Sequence, residues 1–298
     1  MAIRVINPGA LTTVQDIGRT GYQELGMPCS GVMDTCAYQA ANTLVGNEHG
    51  EAVLEFTLFG GIYQIEEDAI LALTGADMAP LLDGAACPMN RPFPVRRGQI
   101  LMVGTALSGC RSYLAVSGGI DVPTVLGSRS TNLKCAIGGF EGRALKAGDL
   151  LPVGVSSIIY REVADRFAPE RIFPEMLTVR AIGGPQEDLF TEQGRKTFYT
   201  GTYTVSQESD RMGCRLRGAA IESRHGTDIV SDAIVFGSIQ VTPAGQPIIL
   251  LADRQTTGGY AKIATVCTAD LPALAQARPG YTIHFQKITV EEAQKLLQ

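Results

Sequence analysis

A run of polar side chains follows a short apolar segment in the C-terminal half of this 298-residue chain. The apolar segment is PIILL at positions 247–251, which reads as a strand buried on both faces. After it come a carboxylate, a guanidinium, a carboxamide, hydroxyls, glycines and an ammonium: Asp253, Arg254, Gln255, Thr256, Thr257, Gly258, Gly259, Tyr260 and Lys262. Fixed donors of these types suit the stabilisation of an oxyanion or a phosphoryl group.

Two interpretations of this polar stretch stay open. One is a polar hairpin with a Gly-Gly turn, which Gly258 and Gly259 permit because glycine adopts backbone conformations closed to other residues. The other is a ligand site. The second accounts better for five hydrogen-bonding side chains beside a buried strand, because each one left without a partner costs roughly 1–3 kcal/mol. We therefore predict a ligand site here.

Three further polar clusters stand beside glycines, at positions 12–19, 126–131 and 209–216. Taken alone, each is also typical of a structured or solvated loop. Together with Gln240, on the alternating segment 238–242, their members are candidate binding residues: Asp16, Arg19, Arg129, Ser130, Asp210 and Arg211.

Several common catalytic signatures are absent from the sequence. It contains no Gly-Lys-Ser/Thr end of a phosphate-binding P-loop, no dinucleotide-binding glycine fingerprint and no nucleophile elbow around a serine. The three histidines are scattered, and none of the seven cysteines falls into a C-x-x-C motif. We therefore predict no metal site and no tightly bound cofactor, and expect carboxylates, Lys262, guanidinium groups and backbone amides to carry any chemistry.

Composition narrows the class of protein. With 25 Lys and Arg against 30 Asp and Glu, the formal charge is −5, which is unfavourable for binding nucleic acid or anionic membranes. No apolar run is long enough to span a bilayer, and the N-terminus leads into a strand without a signal-peptide pattern. An odd number of cysteines without C-x-x-C spacing fits a reducing compartment, so we predict a cytoplasmic protein.

The elements that must position these residues are mostly strands. Short apolar or alternating segments recur along both halves, and the helices that parallel crossovers require are missing. The pattern predicts a mainly β fold of two related β-barrel-like domains with a few short peripheral helices. Charges and prolines interrupt the strand rhythm at 156–175, which places the boundary between domains 1–165 and 166–298.

Capping signals locate the short helices. Asp34 and Gly46 bound a predicted helix at 35–45, and Thr289 with Glu292 forms a capping box for a C-terminal helix. Three weaker signals predict short helices that begin at Asp121, cover 187–193 and follow Asp270.

Seven motifs, in chain order, resemble one known family. They are TTVQDIGR (12–19), RSYLAV (111–116), GGIDVP (118–123), GSRST (127–131), SDRMG (209–213), IQV (239–241) and DRQTTGGY (253–260). The family is the KipA type of biotin-dependent carboxyltransferase, also called allophanate hydrolase subunit 2-like, and the resemblance covers essentially the whole chain. Cys214, Thr242 and Ala261 depart from its usual pattern, and none of these departures removes a charged group.

The resemblance implies two cyclophilin-like β-barrel domains with a cleft between them. Bacterial stand-alone members are the C component of 5-oxoprolinase, which implies a KipI-like B component and a LamB/YcsF-like A component as partners. Together these proteins would open 5-oxoproline to glutamate with ATP as co-substrate. The related domain of urea carboxylase instead moves a carboxyl group from carboxybiotin to urea.

Residue roles also follow from the resemblance. Asp253 is expected to accept a substrate N–H, and Gln255 with the Gly258 and Gly259 amides to hold an oxygen. Candidates to face a carboxylate or phosphate are Arg254, Arg211 and Lys262. This makes Asp253, Lys262 and Arg254 the candidate catalytic residues, and the other polar residues named above candidate substrate-binding residues.

Three functions remain open at this point. The first is one component of an ATP-dependent 5-oxoprolinase. The second is one component of a biotin-dependent carboxyltransferase; the chain has no Met-Lys-Met carrier motif, so the biotin would belong to a partner. The third is a regulator without catalysis that binds a KipI-type kinase inhibitor.

Overall fold

The computed structural model describes residues 2–297, which form two compact units. The first unit holds the chain up to Thr20 together with Ser30–Phe173, and the second holds Gly21–Cys29 together with the chain from Pro174 onward. The boundary predicted from sequence lies between residues 165 and 166, whereas the units change over between Phe173 and Pro174. The short segment Gly21–Cys29 has no counterpart in that prediction.

Antiparallel strands build the first unit. They are β1 (Ala2–Asn7), β2 (Leu11–Gln15), β3 (Val53–Thr57), β4 (Phe59–Ile65), β5 (Ala69–Asp77), β6 (Leu81–Leu82), β7 (Ala85–Ala86), β8 (Pro92–Val95), β9 (Ile100–Thr105), β10 (Ser108–Val116) and β11 (Leu150–Pro152). One sheet has six strands in the order β11-β1-β4-β9-β6-β7, and the other has five in the order β2-β3-β10-β5-β8.

The five-stranded sheet is buried on both faces. Leu54 and Leu71 pack into a core shared with the six-stranded sheet, while their neighbours Val53 and Ile70 pack into a second cluster with helix α1 (Thr35–Val45). Successive side chains of a strand point to opposite faces. This is why the first half of β5, AILAL, reads in the sequence as a continuous apolar run rather than as an alternating one.

A closed barrel forms the second unit. Its strands are β12 (Met176–Gly183), β13 (Tyr203–Val205), β14 (Gly213–Arg217), β15 (Asp228–Ala233), β16 (Ser238–Val241), β17 (Pro247–Leu250), β18 (Thr257–Tyr260), β19 (Lys262–Val266) and β20 (Thr282–Lys287). Seven of them close in the order β12-β19-β16-β17-β14-β13-β20, and the parallel pairing of β12 with β20 completes the ring. Strands β15 and β18 pair only with each other within the described residues, as a separate two-stranded ribbon.

The predicted class, mainly β with a few short helices, is confirmed. The barrel is found in the second unit, whereas the strands of the first unit form two sheets. Helix α1 begins after Asp34, whose side chain accepts from the Ala37 amide, and ends at Gly46 in the left-handed conformation, as predicted. The capping box of α4 (Val290–Lys295) is also confirmed.

Of the three weaker helix predictions, one was wrong altogether and two were wrong in their bounds. No helix follows Asp121. Helix α2 covers Glu192–Thr200, because the Thr191 side chain caps the Gly194 amide and so places Gly194 inside the helix instead of at its end. Helix α3 covers only Leu271–Leu274, and the Asp270 carboxylate does not cap it because Arg180 binds that carboxylate instead.

The buried carboxylate of Asp34 allows a test of what stabilises the first unit. This fully buried carboxylate caps α1 and accepts from Arg171 Nη1 at 2.7 and 2.9 Å. We expect Asp34→Ala to lower the free energy of unfolding by about 2–3 kcal/mol, because it removes the helix cap and the carboxylate partner of Arg171. Urea unfolding followed by circular dichroism measures this. Exposed Asp165 is the matched control, and an equal effect of Asp165→Ala would contradict the assignment.

Candidate functional site

The pairing of β14 with β17 brings Asp253 and Arg211 together. These antiparallel strands place Gly213 opposite Leu250, so the residues just before β14 lie beside those just after β17. Arg211 donates from Nε and Nη2 to the two Asp253 oxygens at 2.9 and 3.2 Å, and the Asp253 amide donates to the Arg211 carbonyl at 2.9 Å. Both side chains are buried, at 4% and 6% exposed. A buried charge requires such pairing.

This pair changes what can be expected of Asp253. The resemblance implies that Asp253 accepts a substrate N–H; both of its oxygens accept from Arg211, which uses two of the roughly four acceptor sites of the carboxylate and holds it in place. Arg211, likewise, is occupied by a carboxylate of its own chain. Asp210 next to it is exposed and binds the Met212 and Gly213 amides, so it shapes the turn that carries Arg211.

Lys262 is the buried cation at the start of β19. Its side chain is 3% exposed, and Nζ donates to Asp232 Oδ2 at 2.5 Å and to the Ala233 carbonyl at 2.9 Å. Gln186 links the same groups, because its Oε1 accepts from the Lys262 amide at 3.1 Å and its Nε2 donates to Asp232 Oδ2 at 3.2 Å. The hydrogen bond from Lys262 is the main cause that lowers the pKa of Asp232 below its usual range.

The glycine pair lies in a strand. Gly258 and Gly259 belong to β18 and have no positive φ, so the interpretation of this segment as a hairpin with a Gly-Gly turn was wrong. The reason for a glycine at 258 is close approach. A Cβ there would lie 2.5 Å from Ile234 Cδ1, 2.7 Å from Gln240 Nε2 and 3.3 Å from Gln255 Nε2.

Two carboxamides therefore converge on Gly258. Gln240 Nε2 donates to the Tyr260 carbonyl at 3.0 Å, and Gln240 itself pairs with Lys262 across β16 and β19. The structure thus places five predicted residues in one neighbourhood of the second unit: Gln240, Gln255, Gly258, Tyr260 and Lys262. The neighbourhood offers amide donors and one fixed ammonium, which can bind carbonyl or carboxylate oxygens.

The remaining residues of the polar stretch play different parts. Arg254 donates from Nη1 to the Leu251 carbonyl at 3.2 Å and lies 5.6 Å from the centre of the Phe236 ring. Burial lowers the pKa of Arg254 from its ordinary value. The Thr256 carbonyl accepts from the Ile234 amide, while the Thr257 side chain is exposed.

Asp16 organises the predicted cluster of the first unit. Its carboxylate accepts from the Ser128 and Ser130 hydroxyls at 2.6 and 2.5 Å, from the Arg129 amide at 2.5 Å and from the Gly18 amide at 2.8 Å. Arg19 is almost fully buried and donates to the Ser130 carbonyl at 2.5 Å. The structure therefore brings together all four predicted residues of this unit, and donors of the chain itself surround the carboxylate.

Sequence reasoning missed Asp232, Gln186 and Ser128. Asp232 stands in an exposed strand, with no nearby residue that marks it, and its partner Lys262 is 30 positions away. Ser128 lies within the predicted 126–131 cluster but was not singled out. Within residues 2–297, no group of three or more His, Cys, Asp or Glu side chains is placed to hold a metal ion, and no helix combines the length and apolar character needed to cross a membrane.

Comparison with known proteins places the chain in a family. Residues 25–287 match the family model described as the carboxyltransferase domain, subdomains A and B. The chain is 40% identical to the 5-oxoprolinase C component of Haemophilus influenzae over 294 residues, which cover 99% of this chain and 94% of that protein. It is 41% identical to the 5-oxoprolinase C component of Escherichia coli, with the same coverage.

A solved structure agrees with this assignment. The crystal structure of the K. lactis urea amidolyase superposes with a TM-score of 0.92 at 34% identity. The match covers 98% of this chain but only 19% of the urea amidolyase, so the chain spans about a fifth of that longer protein. The predicted family is confirmed: this chain belongs to the carboxyltransferase domain family that comprises subdomains A and B.

Proposed function

We propose that this chain is the C component of a 5-oxoprolinase complex, in which 5-oxoproline, ATP and water give glutamate, ADP and phosphate. Two observations support the proposal: the sequence identity to known 5-oxoprolinase C components, and the share of their length that this chain matches. The C components of Haemophilus influenzae and Escherichia coli each match this chain over 94% of their own length, so this chain corresponds to nearly all of each of those proteins. The yeast urea amidolyase of Saccharomyces cerevisiae matches at 33% identity over 17% of its length.

The chemistry of the second unit suits a lactam substrate. Opening 5-oxoproline requires that its amide carbonyl be held and polarised while its carboxylate is bound. The carboxamides of Gln240 and Gln255 stand beside Gly258, whose missing side chain lets both of them approach the backbone of β18 closely. We assign them to the lactam oxygen, and the Lys262 ammonium to the substrate carboxylate or a developing anion.

Asp253 and Arg211 have a supporting place in this proposal. Because they neutralise each other in a buried pair, they hold the end of β17 and the turn before β14 in register. Asp253 then contributes to the reaction by fixing the start of the polar stretch. The role of Arg254 beside Phe236 and the roles of the first-unit residues Asp16, Arg19, Arg129 and Ser130 in substrate binding stay predictions.

The nucleotide is assigned to the complex as a whole. The chain carries no P-loop sequence, so we propose that ATP acts together with two partners, a KipI-like B component and a LamB/YcsF-like A component, in the cytoplasm. Each further component would supply groups that this chain does not offer.

A biotin-dependent carboxyltransferase is the second candidate. It is supported by the family model and by the superposition on the K. lactis urea amidolyase. The same amide donors and ammonium would then bind a urea-like substrate, and biotin would arrive on a carrier, because the chain has no Met-Lys-Met motif. Carboxyl transfer to urea without glutamate release from 5-oxoproline would favour this candidate.

Reconstitution tests the leading proposal. We expect the purified chain to release no glutamate from 5-oxoproline and ATP, and the mixture with its KipI-like and LamB/YcsF-like partners to release it. Omission of each protein in turn is the control. Size exclusion of the chain co-expressed with the KipI-like partner should give one shared peak. Glutamate release by the chain alone, or two separate peaks at micromolar concentration, would contradict the proposal.

Asp253→Asn separates a supporting role from direct substrate contact. Because the change removes the carboxylate that pairs with the buried Arg211 guanidinium through two hydrogen bonds, we expect the free energy of unfolding to fall by about 3 kcal/mol. Turnover per folded molecule should change much less. Urea unfolding and the kcat of the reconstituted complex measure the two quantities, with exposed Asp228→Asn as matched control. A normally stable Asp253→Asn protein with lost turnover would show instead that Asp253 contacts the substrate.

A further inference from the structure

The two-stranded ribbon of β15 and β18 places the carboxylate of Asp232 beside Lys262. Asp232 on β15 pairs with Gly258 on β18, and β18 leads through Ala261 directly into β19, where Lys262 begins the strand. The Ala261 amide donates to the Thr227 carbonyl, which ties the start of the ribbon to the barrel. The ion pair between Asp232 and Lys262 therefore spans the junction between an exposed ribbon and a closed barrel.

The two partners differ in their exposure. The Lys262 side chain is 3% exposed, whereas the Asp232 side chain is 47% exposed. A buried ammonium needs a counter-charge, and Asp232 supplies it from the solvent side. The hydrogen bond from Lys262 also lowers the pKa of Asp232 below its usual range.

One N–H of Lys262 is left for a ligand. An ammonium has three N–H donors and no acceptor. Within residues 2–297, Nζ donates to Asp232 Oδ2 and to the Ala233 carbonyl, so two of the three donors are used. The third can donate to an oxygen of a bound molecule. An ammonium held in this way acts as a hydrogen-bond donor and fixed positive charge.

Gln186, in the turn that follows β12, restrains the same arrangement. Its carboxamide accepts from the Lys262 backbone and donates to Asp232 Oδ2, so backbone and carboxylate are linked through one side chain. Because the Lys262 backbone, Asp232 and the Ala233 carbonyl are all fixed, the position of Nζ is over-determined. Restraint of this kind is typical of groups that must meet a substrate in one geometry.

We propose that Asp232 is a positioning residue that orients the Lys262 ammonium, so that its third N–H meets a carboxylate or carbonyl oxygen of the substrate. This inference rests on the proposed function, in which Lys262 faces the substrate. It assigns the ribbon a part in substrate recognition, and it names as substrate class a small molecule that carries an amide or a carboxylate oxygen. 5-Oxoproline carries both.

The test compares two aspartates of one strand. Asp232→Asn and Asp228→Asn each remove one negative charge from β15, and both side chains are exposed. We expect Asp232→Asn to lower kcat/KM of the reconstituted complex about tenfold to a hundredfold, the scale of a misplaced reacting group. Asp228→Asn should leave it unchanged. Asp232→Glu, which keeps the carboxylate, should recover part of the loss.

A second measurement determines the chemical reactivity of the Lys262 amine in the purified full chain, without its partners. Limited labelling with acetic anhydride, followed by mass spectrometry, reports how freely the Lys262 amine reacts. Asp232→Asn should raise the labelling of Lys262 several-fold, because the ammonium loses its counter-charge and its restraint, while Asp228→Asn should match the unchanged protein. Melting temperatures of all variants are measured alongside; we expect Asp232→Asn to melt below Asp228→Asn, because it removes the counter-charge of a buried ammonium, so labelling and kcat/KM are measured well below the melting range and per folded molecule.

The outcomes separate the inference from the proposed function. Equal labelling of Lys262 in Asp232→Asn and in the unchanged protein overturns the inference, whether or not the complex turns over 5-oxoproline. Raised labelling with unchanged kcat/KM also overturns it, because Asp232 would then hold Lys262 without serving the reaction. A reconstituted complex that releases no glutamate overturns the proposed function, and leaves the labelling result as an independent measure of the contact.

Discussion

The cost of removing a charged group from water constrains both units of this protein. Asp34 is fully buried and is matched by Arg171, Asp253 by Arg211, and the buried Lys262 by Asp232. The buried carboxylate of Asp16 is met instead by hydroxyl and amide donors. Each arrangement needs strands or loops that are distant in sequence to arrive in register, so the placement of these charges and the fold depend on each other.

Within the second unit, the need to pair buried charges is met by two strand pairings. The pairing of β14 with β17 fixes Arg211 against Asp253, and the pairing of β16 with β19 sets Gln240 beside Lys262. The barrel is closed, so neither pairing can slip without breaking the ring. Amide donors and an ammonium held by these pairings need little reorganisation when an anionic oxygen forms, which is how fixed donors favour a transition state.

The two-stranded ribbon of β15 and β18 contributes residues to the candidate site that the barrel strands do not provide. It is largely exposed, yet it supplies the counter-charge of Lys262 and the strand that carries Gly258. The comparisons show the same domain in proteins of very different size, since it makes up most of a 5-oxoprolinase C component and about a fifth of a urea amidolyase.

Much of the general picture could be predicted from the sequence, because the signals are local. Short apolar segments without crossover helices indicated a mainly β fold, the Asp34 cap and Gly46 bounded α1, and the motif DRQTTGGY marked the candidate site and the family. These features depend on residues a few positions apart, whose preferences for turns, caps and strands hold in any fold.

Only the tertiary structure decided which groups meet. Arg211 and Asp253 are 42 positions apart, and Asp232 and Lys262 are 30 apart, so their pairing follows from strand register that no local pattern encodes. For the same reason Gly258 read as part of a turn but lies in a strand, where crowding by Ile234 and Gln240 leaves no space for a side chain. The sequence determined which chemical groups are present, and the register of the strands determined which of them pair with one another.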